Sequence, residues 1–210
     1  AIKITEGLAA VHKANIIHKD INPSNIVHNS QTGQLKIIDF GIATRLSKEF
    51  TAVLSPNQLQ GTLAYIAPEQ TGRMNRELDY RCDFYSLGVT LYELLTHKLP
   101  FETTDPMELV HCHIAQEPFP LHKLIPDVSL TVSNIISKLL AKTPEERYQS
   151  TQGIKADLEK CLHQLNTLGQ ISQFSLGSQD IAEKFQIPQK LYGREREVNQ
   201  LLTAFEEVSK

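Results

Sequence analysis

The sequence predicts a mainly helical domain with one or two small β-hairpins at a polar cleft. Apolar residues recur at helical spacing in several segments, and short strand-like runs flank a turn between residues 26 and 38. The chain has 210 residues, 40% of them hydrophobic. That length and composition are sufficient for one sizeable domain and some remainder.

Composition and charge argue against several classes of function. The formal net charge of −3 gives no electrostatic footprint for nucleic acid or an anionic membrane, so neither partner is expected. No apolar run approaches the roughly 18 residues that a membrane-spanning helix requires. The three cysteines, Cys82, Cys112 and Cys161, are widely spaced and odd in number, which fits a reducing compartment better than a disulfide framework. We therefore expect a cytoplasmic protein.

Besides an amphipathic helix over Glu197–Val208, five segments carry a helical pattern, and one of them is predicted to be the buried centre of the domain. In Asp79–His97 the apolar residues occupy most faces of the helix, as is typical of a helix buried on all sides. Asp105-Pro106 has the pattern of a cap followed by a first-turn proline. In chain order, the predicted helices are residues 1 to about 13, Asp79–His97, a helix after Asp105, Val128–Ala141 and about Ser150–Leu165.

Three polar side chains are predicted to meet beside a hairpin. Asp20 precedes Asn25 in a segment that Pro23 prevents from being a continuous helix. Asp39 follows the apolar strand Leu35–Ile38, and turn-forming residues separate this strand from an earlier one. Because a hairpin brings its two ends together, Asp20, Asn25 and Asp39 should share one small volume. Their oxygens suit Mg²⁺, with one carboxylate left over.

The segments His18–Asn25 and Asp39–Gly41 resemble the catalytic loop and the metal-binding triplet of eukaryotic-type serine/threonine protein kinases. An isolated aspartate is more often a helix cap or turn residue, but further markers of the family follow in the right order. The resemblance implies that Asp20 is the catalytic base for a substrate hydroxyl and that ATP and Mg²⁺ are the cofactors. The metal ligands would be Asn25 and Asp39, and the nucleotide-binding residues would be Asn25, Val27, Ile38 and Asp39.

Three positions in the catalytic loop deserve separate interpretation. His18 is predicted to be a buried aromatic contact for Phe40, not a catalytic imidazole. Lys19 replaces the usual arginine, so it keeps the charge but loses the bidentate fork that binds phosphate. Asn22, which we count among the catalytic positions, replaces a lysine whose charge stabilises the transferred phosphoryl group. Loss of one such electrostatic stabiliser corresponds to roughly 10²–10³ in rate.

The segment Gly61–Glu69 resembles the kinase loop that docks the protein substrate, with the Ala-Pro-Glu signature at its end. The resemblance implies that Thr62 hydrogen-bonds Asp20 and that the enzyme modifies serine or threonine instead of tyrosine. A surface turn is the alternative interpretation of these residues.

Two charged residues in the helical part are assigned structural roles by the same resemblance. Asp83, in the predicted central helix, would brace the backbone of the catalytic loop, since a buried aspartate needs hydrogen-bond compensation. Arg147 would form a buried ion pair with Glu69, and breaking such a pair typically costs about 3–5 kcal/mol. An exposed arginine in a polar turn is the alternative for Arg147.

The order of motifs predicts three regions. Residues 1–165 are interpreted as the C-terminal lobe of a kinase domain, truncated because the glycine-rich loop and strand lysine of the N-terminal lobe are absent from this sequence. Residues 166–186, rich in Gln, Ser and Gly, have the composition of a linker. Residues 187–210 resemble the entry to an AAA-type ATPase domain, although a plain C-terminal helix is the alternative and no phosphate-binding loop is present.

The sequence therefore predicts a serine/threonine kinase domain of a larger signalling protein. The order of kinase lobe, linker and ATPase entry resembles multi-sensor signalling kinases of cyanobacterial type, so the expected partners are a protein substrate, ATP, an N-terminal kinase lobe and downstream ATPase and sensor domains. We expect these 210 residues alone to bind ATP weakly and to transfer nothing. The rival hypothesis is a pseudokinase that regulates the downstream domains.

Overall fold

The computed structural model describes residues 1–45, 63–74 and 76–182, and it confirms the mainly helical architecture. Within these residues, six α-helices surround one hydrophobic core. They are α1 (Ile2–Lys13), α2 (Arg81–Thr96), α3 (Pro106–Ala115), α4 (Leu121–Leu124), α5 (Leu130–Leu139) and α6 (Thr151–Leu168). Short 3-10 turns cover Pro23–Asn25, Leu63–Tyr65, Pro68–Thr71 and Pro144–Glu146.

Helix α2 lies at the centre of the domain, as predicted. Every residue from Arg81 to Tyr92 is buried, which agrees with apolar residues on most faces of the helix. Gly88 lets α5 approach closely, because a Cβ at this position would lie 2.9 Å from the Cβ of Leu139. The helix ends at His97, whose left-handed backbone (φ 57°) stops further helical hydrogen bonding.

The two small sheets contain two strands each, and both are antiparallel among the described residues. One is the predicted hairpin, in which Ile26 lies opposite Ile37. Its turn is closed by the Asn29 side chain, which accepts backbone hydrogen bonds from Gln31 and Thr32. The hairpin thereby brings Asn25, which precedes its first strand, beside Ile38 and Asp39, which follow its second strand. The strands are β1 (Ile16–Ile17), which pairs with β4 (Thr44–Arg45), and β2 (Ile26–His28), which pairs with β3 (Leu35–Ile37).

Helix α6 packs on α1 and α5 and continues to Leu168, where Gly169 (φ 70°) caps it in the left-handed conformation. The residues that follow stay on the surface of the domain. Three of them pack against the hydrophobic core: Ile171, Phe174 and Leu176. The described part of the predicted linker, residues 166–182, is thus held on the helical domain. The domain boundaries at 165 and 187 stay predictions, and the predicted ATPase entry, residues 187–210, lies outside the described residues.

None of the helices in the described part of the chain combines the length and hydropathy that crossing a bilayer requires.

Candidate active site

Asp83 supports residues 18–25, which we call the catalytic loop after the kinase segment that they resemble. Its side chain is fully buried, and Oδ2 accepts hydrogen bonds from the backbone N–H of His18 (2.9 Å) and contacts the His12 Nε2 (2.8 Å). Oδ1 accepts from the backbone N–H of Lys19 at 2.7 Å. These bonds compensate the buried carboxylate and fix Lys19 in a left-handed conformation (φ 69°), which side chains rarely adopt without support.

His18 ties the catalytic loop to the end of strand β3. Its Nδ1 accepts a hydrogen bond from the backbone N–H of Asp20 (3.3 Å), so Nε2 carries the proton and donates to the carbonyl of Ile38 (3.1 Å). The ring is fully buried, and it packs edge-on against Phe40 with 4.7 Å between centroids. With both ring nitrogens engaged in this way, the imidazole positions its neighbours and is not directed at a substrate.

Two carboxamides orient the half-buried carboxylate of Asp20. Asn22 donates from Nδ2 to Oδ1 at 2.8 Å, and Asn25 donates from Nδ2 to Oδ2 at 2.9 Å. Asn25 also donates to the backbone carbonyl of Asp20 at 2.9 Å. Each carboxylate oxygen can accept a further proton donor, because an ionised carboxylate offers about four lone-pair sites. The arrangement can therefore hold a hydroxyl group in place and accept its proton.

Asn22 has a second task that its sequence position alone does not reveal. Its Oδ1 accepts from the backbone N–H of Ser24 (2.9 Å), so the residue caps the 3-10 turn Pro23–Asn25. The side chain is buried, with 8% of its surface exposed. Asn22 thus orients Asp20 with its amide nitrogen and fixes the loop with its amide oxygen, and it brings no charge to the site.

Asn25 and Asp39 lie beside each other because the backbone N–H of Ile38 donates to the carbonyl of Asn25 at 2.9 Å. Asn25 uses Nδ2 for Asp20, which leaves its Oδ1 as a possible ligand. Asp39 accepts from the Gly41 N–H through Oδ1 (3.1 Å), and its exposed side chain retains Oδ2. An amide oxygen and a carboxylate fit Mg²⁺, which commonly takes one or two protein oxygens together with substrate phosphates.

The backbone of Asp39 is strained, with φ at 62° in the left-handed region. Three apolar side chains of the β2–β3 hairpin and of the residues after it are exposed, namely Val27 (49%), Ile38 (41%) and Phe40 (45%). Two of these, Val27 and Ile38, are residues that the resemblance assigns to nucleotide binding, and they stand on or next to the paired strands β2 and β3. Thr62, which the resemblance assigns to a hydrogen bond with Asp20, lies outside the described residues.

Glu69 and Arg147 form a bidentate ion pair away from the cleft. The distances are 2.6 Å from Nη1 to Oε1 and 2.8 Å from Nη2 to Oε2, and the two side chains are 1% and 0% exposed. Arg147 also donates to three backbone carbonyls, and its guanidinium lies over the Tyr85 ring at 5.0 Å. The carbonyls belong to Arg81, Ala141 and Lys142. This set, called the anchor below, fixes Glu69 to α2, at the end of the segment that resembles the substrate-docking loop of kinases.

Sequence reasoning missed three supports of the catalytic loop. His12, in α1, reaches Asp83. Gln70 donates to the carbonyl of Lys19 at 3.1 Å, and Thr90 donates to the carbonyl of Ile21 at 3.2 Å. Polar residues at positions where a helical stripe predicts burial were the available signal for His12 and Thr90, but that pattern does not identify the partner.

Comparison with known proteins agrees with the geometry. The protein kinase domain family matches residues 1–158. Hybrid signal transduction histidine kinase G of Dictyostelium discoideum is 41% identical over 169 residues, or 71% of this chain and 5% of that protein. Probable serine/threonine-protein kinase CE0033 of Corynebacterium efficiens is 35% identical over 194 residues, or 90% of this chain and 29% of that protein.

Serine/threonine-protein kinase PknB of Mycobacterium leprae is 37% identical over 147 residues, or 70% of this chain and 23% of that protein. The chain spans less than a third of the length of each of these relatives. The family match covers well over half of the 210 residues. The chain therefore belongs to the protein kinase family.

Proposed function

We propose that the protein of which this chain forms part transfers the γ-phosphate of ATP to a serine or threonine hydroxyl of a protein substrate. The observation that carries the proposal is the Asp20 carboxylate, oriented through both oxygens by Asn22 and Asn25. Protein kinases use ATP and Mg²⁺. The serine/threonine kinases of Corynebacterium and Mycobacterium that resemble this chain support the substrate class.

In this proposal the residues of the chain position the reacting groups and accept the proton of the substrate hydroxyl. Asp20 accepts the hydrogen bond of the incoming hydroxyl and takes its proton as the new O–P bond forms, while the bond from the γ-phosphorus to the bridging oxygen breaks and ADP leaves with that electron pair. Asn25 Oδ1 and Asp39 would hold Mg²⁺, which when bound neutralises charge on the phosphate oxygens. Asp83 and His18 keep the loop in register with strand β3, so that Asp20 and Asn25 retain their relative placement.

The test is transfer of labelled γ-phosphate from Mg·ATP by the parent protein that includes an N-terminal lobe. Asp20→Asn removes the proton acceptor, and we expect kcat to fall by about 10²–10⁴. Asn22→Lys restores the charge that the family places here, and any increase in kcat measures the cost of its absence. Equal transfer by the wild-type protein and Asp20→Asn would exclude the catalytic role.

The second candidate is a pseudokinase that regulates other domains of its own chain. It is favoured by Asn22, whose amide is used by Asp20 and Ser24 and supplies no positive charge to a phosphoryl group. Nucleotide binding without transfer, measured by a thermal shift with Mg·ATP in a folded wild-type protein, would support it. Transfer that disappears in Asp20→Asn would exclude it.

We also propose that the parent protein is a multi-domain cytoplasmic signalling protein with an AAA-type ATPase region beginning near residue 187. The Leu191–Glu197 motif supports this, as does similarity to a Dictyostelium protein whose name denotes a hybrid histidine kinase. The three cysteines are free and buried, which fits a reducing compartment. Reading the gene beyond codon 210 for a phosphate-binding loop and sensor domains tests the architecture.

A further inference from the structure

The segment that follows the last helix is attached to the lobe at defined points. We call residues 171–180 the strap. Thr131 in α5 donates its hydroxyl to the carbonyl of Ser172 (3.1 Å), and the Ser172 N–H donates to the Gln164 side chain in α6 (2.9 Å). The ammonium of Lys160 lies 4.1 Å from the ring centroid of Phe174. The strap therefore contacts both helices through side chains as well as through apolar packing.

Asp180 fixes the far end of the strap at the N-terminus of α6. Its Oδ2 accepts from the backbone N–H of Gln149 (2.8 Å), and its Oδ1 accepts from the Ser150 hydroxyl (2.8 Å). The site requires a glycine, because a Cβ at Gly153 would lie 2.6 Å from the Cβ of Asp180. Close to it, the Gly177 N–H donates to Asp157 Oδ2 at 2.7 Å. A negative charge at a helix N-terminus is also favourable to the helix dipole.

Gln149 connects this attachment to the anchor. Its side-chain oxygen accepts from Arg81 Nη1 (2.7 Å), and its side-chain nitrogen donates to the carbonyls of Pro144 (3.0 Å) and Arg147 (2.8 Å). The backbone N–H of the same residue is the one that Asp180 binds. A continuous series of hydrogen bonds thus runs from the strap through Gln149 to Arg147, and from Arg147 to Glu69 at the end of the substrate-docking segment.

We propose that the strap positions the substrate-docking segment, with Asp180 as the positioning residue that holds Gln149 and thereby Arg147 and Glu69 in place. This inference rests on the proposed kinase function and adds a means of regulation to it. Because residues 181–210 follow Asp180 in the chain, a force or a binding event on them would act on Asp180 first. Release of the strap would weaken docking of the protein substrate and leave the ATP side of the cleft unchanged.

The experiment compares variants of the parent protein in steady-state phosphorylation and backbone hydrogen exchange. Asp180→Ala removes both hydrogen bonds, and Gly153→Ala displaces the strap while it improves the helix propensity of α6. Asp127→Ala, at an exposed aspartate in the turn before α5, is the control. We expect both test variants to raise the KM for the protein substrate by about 5-fold or more. The KM for ATP should stay within about twofold.

Hydrogen exchange reports on the coupling without catalysis. We expect the amide of Gly177 to exchange faster in both test variants, and the amide of Gln70, which donates to Ala67, to follow it. Faster exchange at Gly177 with an unchanged KM for protein substrate and unchanged exchange at Gln70 would overturn the inference. If the wild-type protein transfers no phosphate, the proposed function fails, and the Gln70 amide alone decides whether the strap controls the docking segment. Asp180→Asn, which keeps one acceptor oxygen, replaces Asp180→Ala if the latter does not fold.

Discussion

The catalytic loop and the anchor each contain a central carboxylate, but the two carboxylates differ in burial and in the charge of their hydrogen-bond partners. Asp20 is half-buried, and among the described residues the side chains that donate to its carboxylate are two neutral amides. Glu69 is buried and meets a guanidinium in bidentate geometry. Neutral amides orient a carboxylate without neutralising it, whereas a buried cation compensates its charge. A change in the catalytic loop should therefore reduce the rate more than the stability, and a change in the anchor should do the reverse.

The largest effect should come from breaking the anchor. Arg147→Met leaves Glu69 charged and buried without its partner, and we expect a loss of about 3–5 kcal/mol in the free energy of unfolding. Urea denaturation of the parent protein measures this. Adding Glu69→Leu removes the uncompensated charge, so the double variant should recover much of the loss. A double variant as unstable as the single one would contradict the proposed origin of the effect.

A pH-dependent loss of stability should appear near the anchor, at His113. Burial, and next the charge of Lys142, lower the pKa of His113 from 6.5 to about 4. The unfolded state therefore binds a proton first, so the stability contribution is present above pH 6.5 and is lost as the pH falls towards 4. At pH 5 the loss should be about 2 kcal/mol, on the basis of 1.36 kcal/mol per pKa unit.

Urea denaturation between pH 7.5 and 4.5 checks this, with His113→Phe as the matched variant that lacks the titrating group. As the pH falls, the wild-type protein should lose stability relative to the variant, which lacks the titrating imidazole. Parallel curves would show that His113 keeps its ordinary pKa in the fold.

Asp83 should combine both kinds of effect, because it is buried like the anchor and supports the catalytic loop. Asp83→Asn weakens the bonds to the backbone of His18 and Lys19 and to His12, and we expect a loss of about 1–3 kcal/mol. The kcat of the folded fraction should fall as well, by about tenfold or more, because Asp20 is displaced. Denaturation and kinetics on one preparation measure both, with Asp127→Asn as the exposed control. A loss of stability with an unchanged kcat would show that the bonds to Asp83 stabilise the fold without affecting catalysis.

The smallest effect on stability should come from Asn22. Asn22→Ala removes a cap and one amide that orients Asp20, so we expect a loss of about 1 kcal/mol or less and a fall in kcat of about tenfold. Asn22→Asp keeps an acceptor for the Ser24 N–H but removes the donor to Asp20. It also places a second carboxylate beside Asp20, so like-charge repulsion should cost stability as well as rate. If Asn22→Asp retains kcat, the amide donor is not needed to orient Asp20.

The sequence was sufficient for the fold class and for the placement, though not the chemical role, of several residues of the candidate site. Buried helices and a short hairpin have local patterns, so α2 and the β2–β3 pair were found within a few residues of their bounds. Glu69 and Arg147, paired by resemblance, lie within hydrogen-bond distance. The partners of His12 and both tasks of Asn22 were not predicted, because they depend on neighbours that a helical or turn pattern does not specify.

The position of the strap also could not be predicted from the sequence. Ile171, Phe174 and Leu176 follow no fixed helical or strand period, and the surrounding Gln, Ser and Gly residues have the composition of a linker. These three apolar residues pack against the core, and the same segment is bonded to α5 and α6, which lie earlier in the chain. The composition of this segment therefore does not predict its position, because that position is determined by tertiary contacts.

The bonds to Asp83 also bear on when the catalytic loop can reach its native structure during synthesis. His12, His18 and Lys19 precede their shared partner by 71, 65 and 64 residues. Contacts this distant in sequence form late, because a long stretch of chain must close before they contribute any stability. During synthesis, the catalytic loop therefore has no support from Asp83 until α2 has left the ribosome and packed. The catalytic loop should therefore reach its native structure only after α2 does.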